Sequence, residues 1–277
     1  MPTTNKILLP TDFSDNAWKA LNFAANLQSH IDEMELVILH SFLPFYTGFQ
    51  SAQENQAQYD SGFEISQKRM NSLEQKIKSH FPNLKYRLVI KDGTLYNSIQ
   101  DIREELPIKA IVMGSKGSTG LQANLIGSQT FEVGKRVDLP LIIIPEKYEF
   151  KPNQEAVFLT NFERNDGDAL EIMKSLIHPQ LIHFVHFAET RTSETLSDKL
   201  EEHVQNLNLE GVEYKTSIYP IREFEDSKQI KERVKELNWS LITLNPVERG
   251  FFENLFTKSF SRPLIHSSEV PILLAKS

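Results

Sequence analysis

The stretch AIVMGSKGSTGLQANLIGSQT, residues 110–130, decides the fold of this chain. Its first four residues form a short apolar run, which is typical of a strand in a parallel sheet covered on both faces. Gly114, Gly117, Gly120 and Gly127 follow, and glycine adopts positive φ without strain. Such a loop can approach a ligand closely and direct its N–H groups at an anion. The stretch therefore predicts a strand, a ligand-binding loop and the start of a helix.

Strands and helices are predicted to alternate on both sides of this loop. Short apolar runs predict strands at residues 6–9, 36–42, 86–90, 110–113 and 141–144. Helical spacing of apolar residues predicts helices over residues 16–29, 65–77, 96–106 and 129–137. This alternation favours an α/β fold with a five-stranded parallel sheet, right-handed crossovers and helices on both faces. Ligands bind such sheets at the carboxyl ends of the strands.

The same pattern occurs twice along the chain. KILLPTDFSDNAWKAL (residues 6–21) matches EAVFLTNFERNDGDAL (residues 155–170), and VDLPLIIIP (residues 137–145) matches SEVPILLAK (residues 268–276). Most of the extra length of the first copy lies in the polar, turn-rich residues 43–62. We expect two tandem open-sheet sandwiches, as domains over residues 1–147 and 152–277. The second copy is predicted to have strands at 156–159, 181–187, 212–219, 241–244 and 272–274, and helices near 169–176, 194–207, 230–237 and 259–267.

Composition excludes several classes of protein. The chain has 277 residues, of which 40% are hydrophobic and 24% charged, an ordinary globular balance. Its net charge of -7 disfavours nucleic acids and anionic membranes as partners, because both bind through Lys and Arg. It has no cysteine, which removes disulfides and thiolate sites and fits a reducing compartment. No apolar run is long enough for a signal peptide or a membrane span, so we expect a cytoplasmic protein.

The glycine spacing is Gly114-x2-Gly117-x9-Gly127-Ser128, which is neither a Walker loop nor the G-x-G-x-x-G of dinucleotide-binding enzymes. It resembles the ATP-binding signature of the universal stress protein family. LLPTDFS (residues 8–14), LHSF (39–42), the Gly93 turn, IVMGSKG (111–117) and LPLIIIP (139–145) resemble that family too. The resemblance covers the first copy from end to end and the second more loosely, so the chain resembles a tandem member.

The resemblance implies a sheet of the adenine nucleotide alpha hydrolase-like type, with ATP or AMP at the strand ends. It implies that adenine and ribose lie beside Pro10, Thr11 and Asp12, with Ser41 flanking the base and Met113 contributing its backbone. It also implies that the ribose and phosphates are held by Gly114, Gly117, Gly127, Ser128, Gln129 and Thr130. Lys116 offers a positive charge near the phosphates, and it is equally consistent with a solvated loop charge. Asp12 is alternatively a helix cap beside Ser14.

The second copy lacks this signature. Gly114 aligns with Asn245, Gly127 and Ser128 align with Thr257 and Lys258, and Asp12 aligns with Asn161. Glu248 would also place a negative charge where phosphates need N–H groups. We therefore expect no nucleotide in the second copy. It is predicted to support the first as a pseudo-dimer partner, which resembles family members that dimerise through their last strands, and a homodimer of whole chains is also open.

Three functions remain open from the sequence. The first is a regulatory protein of the stress response that binds ATP, with or without Mg²⁺, or another adenylate. The second is a slow ATPase or autokinase, with acceptors among Ser115, Ser118, Thr119 and Ser128, although no positioned base is visible. The third is an interaction module without a ligand. We assign no catalytic residue and no metal site.

Three histidines need a separate interpretation. His40 and His186 end equivalent predicted strands and are expected to cap the sheet edge rather than act as bases. His183 and His186 are three residues apart on one strand, so their side chains point to opposite faces and cannot chelate the same metal.

Overall fold

Short apolar runs form the strands of this protein and amphipathic segments form its helices. A computed structural model describes residues 5–29, 31, 34–44, 51–116, 127–149, 155–162, 166–188, 194–220, 232, 234–245 and 269–276. The strands are β1 Asn5–Pro10, β2 Met34–Phe42, β3 Tyr86–Asp92, β4 Ile108–Gly114, β5 Leu141–Ile144, β6 Glu155–Leu159, β7 Leu181–Ala188, β8 Glu213–Pro220, β9 Trp239–Leu244 and β10 Ile272–Leu274. The helices are α1 Asp15–Gln28, α2 Ala52–His80, α3 Leu95–Glu105, α4 Ser128–Arg136, α5 Asp166–Ile177 and α6 Glu194–Gln205.

The central strands are buried on both faces, as their uninterrupted apolar runs predict. Ile111 and Val112 are neighbours in β4, point to opposite faces, and are both 0% exposed. In the first half, α1 and α2 pack with Val112 on one face of the sheet. Helices α3 and α4 pack with Ile111 on the other face. The β4 strand, and the glycine that ends it, therefore lies between two helical layers.

The sheet has the order β3-β2-β1-β4-β5-β10-β9-β6-β7-β8. Strands pair in parallel within each half, and the two halves have equivalent orders of strands. The halves meet where β5 and β10 pair antiparallel, with Ile142 opposite Leu273. The α/β class with a mostly parallel sheet is confirmed. The sequence suggested two sheets, whereas this pairing makes them one continuous sheet; the domain boundaries stay a prediction.

Helix α2 is longer than predicted. The sequence suggested a helix over residues 65–77 and a polar, turn-rich segment before it, whereas the helix begins at Ala52. Ser51 and Glu54 form a capping box at its start. The prediction was wrong because apolar spacing was the criterion, and the first turns of α2 bury no side chain: the buried residues are Ser66, Met70 and Ile77.

The second half follows its predicted order as far as it is described. Strand β10 begins and ends as predicted, and α5 begins three residues before and ends one residue after the predicted residues 169–176. The helix predicted near residues 259–267 lies outside the described residues, whereas of the one near 230–237 residues 232 and 234–236 are described and are helical. Among the helices that the structure describes, none is both long enough and apolar enough to cross a membrane.

Candidate functional site

The carboxyl ends of β1 and β4 meet because these strands are parallel neighbours, with Leu8 opposite Ile111. The turn after β1 is held by its own side chains. Thr11 Oγ1 accepts a hydrogen bond from the Phe13 N–H at 3.0 Å, and Asp12 Oδ1 accepts one from the Ser14 N–H at 3.0 Å. Asp12 therefore stabilises the turn that leads into α1. This is the structural role that the sequence offered as the alternative to a nucleotide contact. One role does not exclude the other, because a carboxylate has two oxygens.

His40 secures this turn to β2. Phe13 has φ of 65° and its ring lies 4.5 Å from the His40 ring, centroid to centroid. His40 Nδ1 lies 2.9 Å from the Thr11 carbonyl oxygen, so Nδ1 carries the hydrogen and donates it. Burial lowers the pKa of His40, which favours this neutral form. The expected role of His40 as a cap of the sheet edge is confirmed.

Gly114 ends β4 against the side chain of Asn16. Asn16 is 6% exposed, and its Nδ2 donates to the Ile144 carbonyl at 3.1 Å. Its Oδ1 accepts the Lys116 N–H at 2.9 Å and the Ser115 hydroxyl at 3.3 Å. Asn16 thus joins the end of β5 to the start of the glycine loop. Sequence reasoning missed Asn16, although a polar residue in the first turn of an apolar helix that follows β1 was a usable indication.

The start of α4 is tied to the end of β4. The Gly127 N–H donates to the Ser115 carbonyl at 2.7 Å, and the Thr130 hydroxyl donates to the Gly114 carbonyl at 2.8 Å. Thr130 is 2% exposed, whereas Ser128 is exposed. Gly114, Gly127 and Thr130 are therefore brought together, as the predicted site requires. The hydroxyl of Thr130 is engaged in this tie rather than directed at a ligand.

The first turn of α4 differs from those of the preceding helices. Ser14, Ser51 and Thr94 accept backbone N–H groups at the starts of α1, α2 and α3. Gly127 is the N-cap of α4, and no side chain in the described part of the chain caps that turn. An uncapped first turn presents N–H donors and the positive end of the helix dipole. That combination suits an anion.

Lys116 forms an ion pair beside the loop. Its Nζ lies 3.0 Å from Oε2 of Glu146, and its side chain is 16% exposed. The hydrogen bond from Lys116 lowers the pKa of Glu146, so this carboxyl group is ionised at neutral pH. Lys19 Nζ donates to the Glu146 carbonyl at 2.6 Å. Lys116 is thus neither a solvated charge nor, in this arrangement, directed at a phosphate.

The other predicted residues are more dispersed. Pro10 ends β1, and Met113 is 5% exposed in β4, where it packs on the face covered by α3 and α4. Ser41 lies in β2 opposite Lys91, separated from β4 by β1. Gln129 is exposed in the first turn of α4. Gly117 lies outside the described residues.

The second half repeats the turn after its first strand. Phe162 has φ of 63°, and its ring lies 4.5 Å from that of His186. His186 Nδ1 lies 2.9 Å from the Thr160 carbonyl, as His40 does from that of Thr11. The expected capping role of His186 is thus confirmed. This equivalence of geometry supports the sequence match between the halves.

The strand end of the second half is filled by a buried polar cluster. Asp166 is 1% exposed, and its carboxylate accepts hydrogen bonds from Asn245 Nδ2 at 2.9 Å and from the Thr160 hydroxyl. His203 Nε2 lies 3.0 Å from the same carboxylate. Asn245 takes the position that Gly114 has in the first half. The Asn245 side chain therefore lies at the strand end, where the first half has only a glycine. Sequence reasoning missed Asp166 and His203, which come from α5 and α6.

Most of the loop predicted in the second half lies outside the residues that the structure describes. Glu248, Thr257 and Lys258 lie outside the described residues. The described residues contain no group of three or more His, Asp or Glu side chains arranged to hold a metal ion. His183 and His186 bond different partners, Ser217 and Thr160, on opposite faces of β7.

Sequence comparisons place relatives of this chain in one family. A family model described as the universal stress protein family matches residues 3–145. Universal stress protein MJ0577 of Methanocaldococcus jannaschii is 27% identical over 164 residues, which cover 51% of this chain and 95% of that protein. Universal stress protein MJ0531 of the same organism is 26% identical over 153 residues, covering 54% of this chain and 84% of that protein.

Solved structures extend the likeness of fold to the whole chain. A universal stress protein from Archaeoglobus fulgidus has a TM-score of 0.70 at 21% identity, and the match covers 99% of this chain and 97% of that one. A putative universal stress protein from Pseudomonas aeruginosa has a TM-score of 0.56 at 12% identity, covering 98% and 92%. At these identities the likeness concerns the fold alone.

Proposed function

The chain belongs to the universal stress protein family, and we propose that its first half binds ATP, or another adenine nucleotide, at the carboxyl ends of β1 and β4. The observation that carries this proposal is the uncapped first turn of α4, which is tied to the glycine at the end of β4. N–H groups at such a turn bind phosphate. The resemblance of the glycine spacing to the family's ATP-binding signature supplies the adenine nucleotide as the ligand.

The proposed site divides the predicted residues by role. Ser128 and Gln129 would present backbone N–H groups to the phosphates, and Gly127, whose own N–H donates to the Ser115 carbonyl, would place no side chain over them. Asp12, Thr11 and Pro10 would meet the ribose and adenine, with Ser41 and the Met113 backbone at the base. Gly114 and Thr130 shape the site, since one admits Asn16 and the other closes onto the Gly114 carbonyl. Gly117 is included on its sequence position alone, and Lys116 would have to leave Glu146 to reach a phosphate.

We further propose that the second half holds no nucleotide. Asp166 would repel phosphates, and Asn245 takes the place of the strand-end glycine. The second half would instead act as a pseudo-dimer partner through the β5–β10 pairing. A protein with one such site would serve as a cytoplasmic nucleotide-responsive regulator in the stress response. With Mg²⁺, the ligand would be the metal complex of ATP.

The direct test is calorimetry with ATP and Mg²⁺ on the full chain, where we expect about one site per chain. Gly127→Asp is the sharp variant, because an aspartate N-cap would occupy the N–H groups proposed for the phosphates while stabilising the helix. Gly127 has φ of -60° and ψ of 147°, a conformation open to any residue. ATP affinity should fall at least tenfold without any loss of melting temperature.

Thr94→Asp also places an aspartate at a helix N-cap, where it replaces the side chain that already caps α3, and should leave ATP affinity unchanged. Thr257→Val, at the position aligned with Gly127, should also have no effect on ATP affinity. Absence of ATP binding by the wild-type chain, or two sites per chain, would contradict the proposal. Turnover of labelled ATP well above background would favour the ATPase or autokinase alternative.

A further inference from the structure

A groove between α1 and α2 lies beside the proposed nucleotide site. Its volume is about 320 Å³, at the small end of the range of roughly 300–1,000 Å³ for ligand pockets. Leu9, Leu21 and Ile38 contribute to its lining and are nearly fully buried. No residue of β4 or α4 lines it, and the two sites share Pro10 at the end of β1 and Thr11 in the turn that follows. The groove therefore has an apolar floor of its own.

Two cationic side chains line this groove, and each lies over an aromatic ring. The Arg69 guanidinium carbon lies 4.5 Å from the Phe13 ring centroid, and Lys76 Nζ lies 3.9 Å from that of Trp18. Such contacts restrict a long cationic side chain to a defined place. Arg69 also donates to the Asp12 carbonyl at 3.2 Å. Both cations are thus positioned by the fold.

Within the described part of the chain, neither cation forms an ion pair with a carboxylate. This separates them from their neighbours, because Lys68 and Lys78 on the same helix pair with Glu64 and Glu74. Asp15 lines the groove but is joined to neither cation. The groove thus holds two positive charges that a ligand could neutralise.

The spacing of the cations defines the shape of such a ligand. Arg69 and Lys76 are seven residues apart on α2, which corresponds to about 10 Å along the helix. Leu73 lies between them, and all three line the groove. Hence the groove offers a cation, an apolar stretch and a second cation in a row. A compact anion would reach one charge only, whereas an elongated one would reach both.

We propose that this groove binds an elongated organic dianion: an aliphatic dicarboxylate of about ten carbons, whose extended length is comparable to the rise of α2 between Arg69 and Lys76. One carboxylate accepts hydrogen bonds from the Arg69 guanidinium, whose planar fork matches carboxylate geometry. The other pairs with the Lys76 ammonium. The chain between them lies over Leu73 and the apolar floor. This site needs no nucleotide, so it stands whether or not the proposed function holds.

The test is calorimetric titration of the full chain with decanedioate at low ionic strength, where surface charges are least screened. We expect saturable binding at one site, with butanedioate and decanediol at least about tenfold weaker because each lacks the length or the charges. Arg69→Gln and Lys76→Gln should each weaken decanedioate about fivefold or more. Lys78→Gln removes a neighbouring charge that does not line the groove, and should have no effect.

A second variant tests the apolar part of the groove. Leu73→Trp keeps both cations and fills the space between them, so it should abolish binding of decanedioate, and circular dichroism would verify that the chain is folded. Absence of binding to the wild-type chain would overturn the proposal. Equal affinity for butanedioate would also overturn it, because length would then not matter. So would binding that survives both glutamine substitutions, because the two cations would then not be needed.

Discussion

Gly114 lies so close to Asn16 that a Cβ atom at residue 114 would stand 2.8 Å from both Cγ and Oδ1 of the Asn16 side chain. Carbon atoms in contact are normally about 3.5–4.0 Å apart. The glycine at the end of β4 is therefore required by the approach of a neighbouring helix. The contact links the strand end to the α1 residue that anchors the start of the loop.

Gly114→Ala should accordingly destabilise the protein by about 1–3 kcal/mol, the usual cost of overpacking a core site. It should also weaken nucleotide binding, because Asn16 would be displaced from the loop. Chemical denaturation measures the first effect and calorimetry the second. Gly167→Ala is the control: nothing lies within 4 Å of a Cβ there, and alanine in α5 should stabilise by up to about 1 kcal/mol. Equal effects of the two substitutions would contradict the steric explanation.

Asn16→Leu should cost about 2–4 kcal/mol of unfolding free energy. The variant keeps the approximate size of the side chain but leaves the half-buried Lys116 N–H and the Ser115 hydroxyl without this acceptor, and an unpaired buried group costs about 1–3 kcal/mol. Urea denaturation of the two proteins gives the difference. Asn22→Leu, in the same helix, loses only a bond to the Trp18 carbonyl within the helix and should cost less than about 1 kcal/mol. A similar loss for both variants would refute the anchoring role of Asn16.

His183 should make the protein sensitive to acid. Burial, with a smaller contribution from Lys215, lowers the pKa of His183 to about 4 from an ordinary value of 6.5. Between these two pKa values the unfolded chain binds a proton at His183 and the folded chain does not. The free energy of unfolding therefore falls as the pH drops from 6.5 toward 4. Between neutral pH and about pH 4.5 the wild type should lose about 2 kcal/mol more than His183→Gln. Parallel pH dependence of the two proteins would show that His183 does not contribute.

Lys276 should have an effect of the same sign in an alkaline pH window. Its Nζ donates to the Val137 carbonyl at 2.7 Å and to that of Gly134, so it caps the end of α4 from the second half of the chain. Burial lowers its pKa to about 8 from 10.5, so the unfolded chain binds more protons between these values and stability rises with pH there. Relative to Lys276→Met, the wild type should gain about 1 kcal/mol, since partial exposure screens the effect. A constant difference in unfolding free energy between pH 7 and pH 10 would contradict this expectation.

Much of the secondary structure was predictable because its cause is local. Strands β5 and β10 begin and end as predicted, since each is a short apolar run preceded by a proline. Ser14 caps α1 through a hydrogen bond across only three residues, from the Ala17 N–H. The early turns of α2 were missed because they bury nothing, so apolar spacing gave no indication of a helix.

The candidate site was predictable only in part, for a similar reason. Gly114 and Gly127 stand out as glycines around a strand end and a helix start. Asn16 and Glu146 do not stand out, because their contacts with the loop span 100 and 30 residues and exist only when β1, β4 and β5 are side by side. Thr130 was expected near the phosphates, and its bond to Gly114 becomes visible only in the folded chain.

The sequence by itself determined the order of the strands and helices, the match between the two halves and the family, because apolar periodicity and glycine spacing are properties of neighbouring residues. Only the tertiary structure decided that β5 and β10 join the halves into one sheet, that Asn16 stands against Gly114, and that Asp166 fills the strand end of the second half. These contacts link residues far apart in the chain. Their formation depends on how the sheet closes and on which buried polar atoms then need partners.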